Sequence, residues 1–270
     1  MTVTRHGEGP LQTLLVPGGP GLLPGFYEEL VEGLTAFGRV CTYLQRGTVP
    51  ADSDEYPRSM EEFAAELAGV LEEIGGDADA TVVFGHSFGA AVAVEALRGG
   101  AGFDGAVLSN GFDSGDMMRR GLGDRRQELP PAFQEAYAHA DRSNVAELMP
   151  LLAEHFYPRH FCRRDPWPES FVAGLGQVNP QLLLHFIGSD LFDPDGVLAD
   201  WDRSADLGAV TVPSLVVSGM YDYYRLSDSR RIAEALPAGE LWVSETASHS
   251  PWIEDPDGFY GAVGQFLKKY

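Results

Sequence analysis

An apolar run, TVVF (81–84), leads straight into Gly85-His86-Ser87-Phe88-Gly89, and a stretch of small, helix-forming residues, AAVAVEALR (90–98), follows without a gap. Strand, sharp turn and helix in this order require a helix packed closely on the strand that feeds it. No other stretch constrains the fold as strongly. Glycines two residues either side of Ser87 keep the turn clear of side chains that would collide with the neighbouring helix and strand. In such a turn the serine hydroxyl is presented at the end of the strand, where it can act as a nucleophile. The pentapeptide alone is weak evidence in a chain with 32 glycines, since any Gly-rich connection from strand to helix reads the same way. Its surroundings have to decide.

The rest of the chain repeats the alternation. LQTLLVP (11–17) and GRVCTYL (38–44) read as strands, and FYEELVEGLTAF (26–37) between them carries Phe26, Leu30, Leu34 and Phe37 at helical spacing. MEEFAAELAGVLEEIG (60–75) predicts a helix before the strand at 81–85. GAVLSN (105–110), SLVVSG (214–219) and ELWVSE (240–245) read as further strands, with SRRIAEAL (229–236) helical between the last two and DGFYGAVGQFLKKY (257–270) a terminal helix. Strands alternating with helices imply an α/β fold, a mostly parallel central sheet with helices on both faces. Between Asn110 and Ser214, however, about a hundred residues show no strand, where connections in α/β units usually run to about 2–6 residues. PAFQEAYAHA, NVAELMPLLAEHFYPRHF, ESFVAGLGQV and NPQLLLHFIG read there as helices, punctuated by Pro131, Pro158, Pro166, Pro168 and Pro180. Residues 113–205 are therefore expected to be an inserted helical cap over the carboxyl edge of the sheet, with 1–112 and 206–270 as the core.

Charge and cysteines narrow the partners. A formal charge of −21 opposes binding to nucleic acid or to an anionic membrane, so the expected partner is a small-molecule or short-peptide substrate. MTVTRHGEGP lacks the basic and apolar regions of a secretory signal, and no apolar run approaches the roughly 20 residues that cross a bilayer, so a cytoplasmic protein is expected. Cys41 and Cys162, two and far apart, predict buried free thiols. No metal site and no cofactor are expected, and oligomeric state is left open.

A serine hydroxyl becomes a good nucleophile only when a base takes its proton and a third group orients that base. SLVVSG runs into Met220-Tyr221-Asp222, and ELWVSE into Thr246-Ala247-Ser248-His249, which places an acid and a histidine at successive strand exits after the serine. Asp222 and His249 are the candidates. Asp228 is the rival acid, six residues on, and is expected to be a helix N-cap. His139, His155, His160 and His185 fall in the cap, and His86 is read as shaping the turn. Acyl transfer also needs donors for the developing oxyanion. Pro17-Gly18-Gly19-Pro20-Gly21 closes the first strand, and the N–H groups of Gly19 and Phe88 are the candidates.

Together these residues resemble the proline iminopeptidases among the α/β-hydrolases, whose signatures are a Gly-Gly-Pro-Gly oxyanion turn, a Gln-x-Gly loop, a Gly-x-Ser-x-Gly serine and a late aspartate and histidine. Here they are GGPG (18–21), Gln45-Arg46-Gly47, GHSFG (85–89), GMYD (219–222) and SHSPWIEDPDGF (248–259). EHFYPRHFCRRDPWPES (154–170) and GSDLFDPDGVLADWD (188–202) are similar to the family's cap segments, so the resemblance runs from residue 13 onward. It implies an α/β-hydrolase fold and a Ser-His-Asp acyl-enzyme mechanism. Three positions depart from the family pattern: Pro17 replaces the oxyanion-turn histidine, Leu44 the aspartate before Gln45, and Leu191 the second of two cap carboxylates that hold a substrate's α-ammonium. Glu154 stands at the first carboxylate position, and Asp190 is beside the second.

The resemblance implies removal of an N-terminal proline, with Glu154 and Asp190 holding the amine. The altered cap favours instead a hydrolase of a small ester, amide, thioester or lactone, its pocket formed by Leu191 and by aromatics such as Phe156, Tyr157 and Trp167. A silent, ligand-binding hydrolase fold is the third reading, opposed by the intact serine, acid and histidine.

Overall fold

The strands β1 (Val3–His6), β2 (Leu11–Val16), β3 (Arg39–Tyr43), β4 (Ala80–His86), β5 (Gly105–Ser109), β6 (Ser214–Gly219) and β7 (Gly239–Ser244) form one sheet in the order β1-β3-β2-β4-β5-β6-β7. β1 is antiparallel to β3, and every other pair is parallel. This is the α/β-hydrolase architecture that the sequence implies. The computed structural model describes residues 2–48, 55–76, 78–142 and 144–270.

The central strands are mostly apolar and buried along almost their whole length because both faces are covered. Successive residues of β4 show it: Val83 joins the cluster beneath α2 (Met60–Ile74), α3 (Phe88–Arg98) and α10 (Leu226–Ala235), whereas Val82 and Phe84 join the cluster beneath α1 (Glu28–Leu34) and α12 (Pro256–Leu267). Register then sets the position of the functional edge. Val16 pairs with Gly85, His86 with Ser109, Ser109 with Val217 and Gly219 with Ser244, so the carboxyl ends of five strands emerge at one edge, with β6 and β7 running two residues past β5.

Helix boundaries follow local chemistry. Ser59 caps α2 by accepting from Glu62 N, and Pro131 and Pro180 open α5 (Pro131–His139) and α9 (Pro180–Phe186), where a missing N–H costs nothing. Between β5 and β6 these two are joined by α4 (Gly115–Gln127), α6 (Val145–His155), α7 (Tyr157–His160) and α8 (Glu169–Leu175). The two ends of this segment are bound to each other: Gly115 N–H donates to Trp201 O and Arg203 N–H to Asp113 O, both at 2.8 Å. α11 (Pro251–Glu254) precedes the terminal helix.

Several elements differ from expectation. β1 was not anticipated, because as an exposed edge strand it has no apolar alternation. α4 was not anticipated either, since its sequence GDMMRRGLGDRRQ is polar and carries two interior glycines; its cap, Ser114 accepting from Met117 N, was the available signal. The stretch 26–37 is not one helix but 3-10 turns on either side of α1. Cys41 and Cys162 are free and buried. Among the described residues no helix is long and apolar enough to cross a membrane.

Candidate active site

Ser87, Asp222 and His249 stand beyond the carboxyl ends of β4, β6 and β7, on one edge of the sheet. Ser87 follows β4 at the head of α3 with φ 54° and ψ −119°, a conformation a serine rarely adopts, and its N–H is held by Ser109 O at 2.9 Å. Close packing maintains it. A Cβ on Gly89 would lie 2.1 Å from Val16 O, and one on Gly85 would lie 2.5 Å from Gly89 O, so α3 reaches the sheet only because both positions lack side chains.

Asp222 follows β6 and is fully buried. Its Oδ1 accepts from His249 Nδ1 at 2.9 Å, and its Oδ2 accepts from Asn110 Nδ2 at 2.8 Å. With a proton committed to the carboxylate, His249 presents Nε2 as its basic nitrogen. Asn110, at φ 51° after β5, also donates to Ser248 O at 3.1 Å and so ties the β5, β6 and β7 exits together. Glu254 accepts from the N–H groups of Ser248 and Ser250, at 3.0 and 3.2 Å, on either side of His249. Burial raises the Glu254 pKa, and these donors oppose the rise.

His249 Nε2 does not reach the serine directly. Its partner is the Tyr223 hydroxyl at 2.5 Å, and Ser87 Oγ lies 3.4 Å from the same phenolic oxygen. A phenol bridges base and nucleophile. Burial raises the pKa of Tyr223 well above the ordinary value, so the phenol stays protonated.

A second network joins the turn after β2 to the loop after β7. Gly18 N–H donates to Tyr27 Oη at 2.6 Å, Tyr27 Oη lies 2.9 Å from His86 Nδ1, and His86 Nε2 lies 2.9 Å from His249 O. A carbonyl only accepts, so the His86 proton sits on Nε2 and Nδ1 accepts from the phenol. Burial drives the His86 pKa well below the ordinary value, which keeps this tautomer neutral. Gly18 N–H is thereby engaged. Neither Gly19 N–H nor Phe88 N–H, the two oxyanion candidates, meets a protein acceptor among the described residues.

The alpha/beta hydrolase family profile matches residues 13–262. The chain belongs to the alpha/beta hydrolase family. It is 26% identical over 279 residues to a proline iminopeptidase of Chitinophaga pinensis, across 98% of this chain and 92% of that protein. Among solved structures, the proline iminopeptidase of Mycobacterium smegmatis matches with a TM-score of 0.84 at 25% identity, covering 99% of this chain and 94% of that one. VinJ matches with a TM-score of 0.88 at 26% identity, over the same shares of the two chains. The chain is thus a hydrolase similar to proline iminopeptidases.

Beside Ser87 this hydrolase holds a cavity of about 570 Å³, bordered by Gly19, His86, Tyr223 and His249 and walled by apolar side chains of α4, α6 and α9. Phe156, Tyr157 and Leu191 are among its lining residues. Burial pushes the Tyr157 phenol up to about 12. The remaining expected contacts lie elsewhere. The Glu154 side chain is 75% exposed, beside His155, and does not border the cavity. Asp190 is buried away from it, because Tyr137 Oη at 2.6 Å, Phe192 N at 2.9 Å and the Arg142 guanidinium engage its carboxylate. Trp167 also stands outside, its indole N–H on Cys162 O at 2.9 Å. Arg142 is the only arginine, lysine, aspartate or glutamate among the described lining residues. Asp228 is not an N-cap but lies within the first turn of α10, accepting from Arg120 at 3.2 Å. The sequence reading misses Asn110, Tyr223 and Tyr27, since each acts through partners distant in sequence, and Glu254, whose partners Ser248 and Ser250 are close in sequence but form no recognised pattern with it.

Proposed function

We propose that this enzyme hydrolyses an ester, thioester or amide of an uncharged, apolar acyl group through an acyl-enzyme on Ser87. His249 collects the serine proton and later returns it to the leaving group, and Asp222 holds the imidazole and stabilises its cation. The N–H groups of Gly19 and Phe88 are assigned to the oxyanion, where each such donor contributes about 3 kcal/mol in comparable sites. Residues 113–205 act as the cap that shapes the acyl pocket. Water then attacks the acyl-enzyme by the reverse sequence of proton transfers.

The observation that carries the substrate class is the absence of any carboxylate from the described cavity lining. A buried ammonium left without a carboxylate partner costs several kcal/mol, so this cavity favours an acyl group without a free amine. The second reading, a proline iminopeptidase, draws on the similarity to those enzymes along nearly the whole chain. Hexanoyl and prolyl p-nitroanilides share a leaving group and separate the two readings. The expected result is a kcat/KM larger by about 10²-fold for the hexanoyl compound, as a penalty of about 3 kcal/mol on the ammonium implies. Preference for the prolyl compound, lost in Glu154→Ala, would establish the peptidase reading instead.

A further inference from the structure

The Tyr223 hydroxyl stands where a serine hydroxyl is expected, 2.5 Å from His249 Nε2, with Ser87 Oγ one step further out at 3.4 Å. Its ring cannot easily leave. It lies over the His249 imidazole, tilted by 31° with centroids 4.0 Å apart, and against Tyr224 at 4.6 Å and Phe156 at 5.9 Å. With Asp222 fixing the His249 proton on Nδ1, Nε2 has only a lone pair to offer, so the phenol donates to it. The phenolic oxygen keeps a lone pair for the serine proton.

We infer that Tyr223 is a catalytic residue that relays the Ser87 proton to His249. The inference rests on the reading of Ser87 as the nucleophile. In acylation the Ser87 O–H bond breaks and its proton bonds to the Tyr223 oxygen, while the phenol's own proton passes to His249 Nε2. The electron pair left on Oγ forms the bond to the acyl carbon, and the carbonyl π pair moves onto oxygen. On collapse of this intermediate the imidazolium proton returns through the phenol to the leaving group, and Tyr223 ends unchanged. Burial strongly disfavours tyrosinate, so the phenol cannot give its proton first and wait. Both protons move in one transition state. The 3.4 Å separation is that of a resting enzyme, in which catalytic hydrogen bonds are commonly long and shorten when substrate binds.

The test is a proton inventory, kcat/KM for p-nitrophenyl hexanoate in mixtures of H2O and D2O, with fluorophosphonate labelling of Ser87 alongside. This leaving group departs without a proton, so the inventory reads the acylation transfer alone. Two protons in flight bow the plot downward, whereas direct transfer from serine to histidine gives a straight line. In Tyr223→Phe the plot is expected to become straight and kcat/KM to fall by about 10²-fold, with KM little changed, as for loss of a general acid-base group. A straight line for the wild type overturns the relay even if the variant does not fold. So does Tyr223→Phe turning over at the wild-type rate, which would make the phenol a mere obstruction. Failure of the fluorophosphonate to label Ser87 overturns the nucleophile reading itself, and the relay with it.

Discussion

Asn110 supports Asp222 much as Asp222 supports His249. Its amide nitrogen donates to the carboxylate oxygen that the imidazole leaves free, at 2.8 Å, in a buried setting where a charged hydrogen bond contributes about 1.5–3 kcal/mol. Substitution with alanine would mix two effects, because φ at this position is 51° and alanine is strained there. Glycine is not. Asn110→Gly is therefore expected to lower kcat by about 10–10²-fold, corresponding to the lost hydrogen bond, with KM unchanged in steady-state assays. Ser87, Asp222 and His249 could be singled out from sequence because a glycine-flanked serine and two strand exits are local patterns. Asn110 and Tyr223 could not. Their roles exist only because β5 lies beside β6 and because the residue after Asp222 folds back over His249. The cap carboxylates failed for a related reason. Sequence gives the positions of Glu154 and Asp190, but the direction of one into solvent and the engagement of the other by Tyr137 and Arg142 are properties of packing.

At the level of elements, legibility followed apolar patterning: β7 is recognised from LWV although only Ser244 in it is fully buried. The six strands recognised in the sequence are those with mostly apolar cores, and the helices α2, α10 and α12 announce themselves by an apolar face. β1 gains order by pairing with β3, although its residues VTRH are all at least partly exposed. α4 is anchored twice: Met117, Met118 and Leu122 enter the core cluster, too few among charged residues and glycines to announce a helix, and Arg125 donates to Asp222 O at 3.0 Å while Arg120 reaches Asp228. Such polar contacts leave no hydropathy signal. They also place α4 against the loop that carries Asp222, so a helix that the hydropathy pattern hides borders the site directly.

On the scale of the whole molecule, the buried His86 couples the site to stability. Burial holds its pKa far below the ordinary value in the folded chain, whereas the unfolded chain takes up the proton below about 6.5. The unfolded state then binds more protons than the folded one, so stability falls as pH drops below that point. This single group contributes at most about 1.4 kcal/mol per pH unit, and His160, lowered mainly by burial, acts in the same direction. Urea unfolding at about pH 7 and about pH 5 should show a marked loss for the wild type and a shallower dependence for His86→Asn. An equal slope in the variant would show that His86 takes up its proton in the fold. The proposed chemistry turns on one bond, between Ser87 Oγ and the acyl carbon. Intact-mass analysis after rapid mixing with p-nitrophenyl hexanoate and acid quenching reads it directly: the prediction is a single hexanoyl adduct mapping to Ser87 and absent from Ser87→Ala, and turnover without that adduct, or undiminished in the variant, would contradict it.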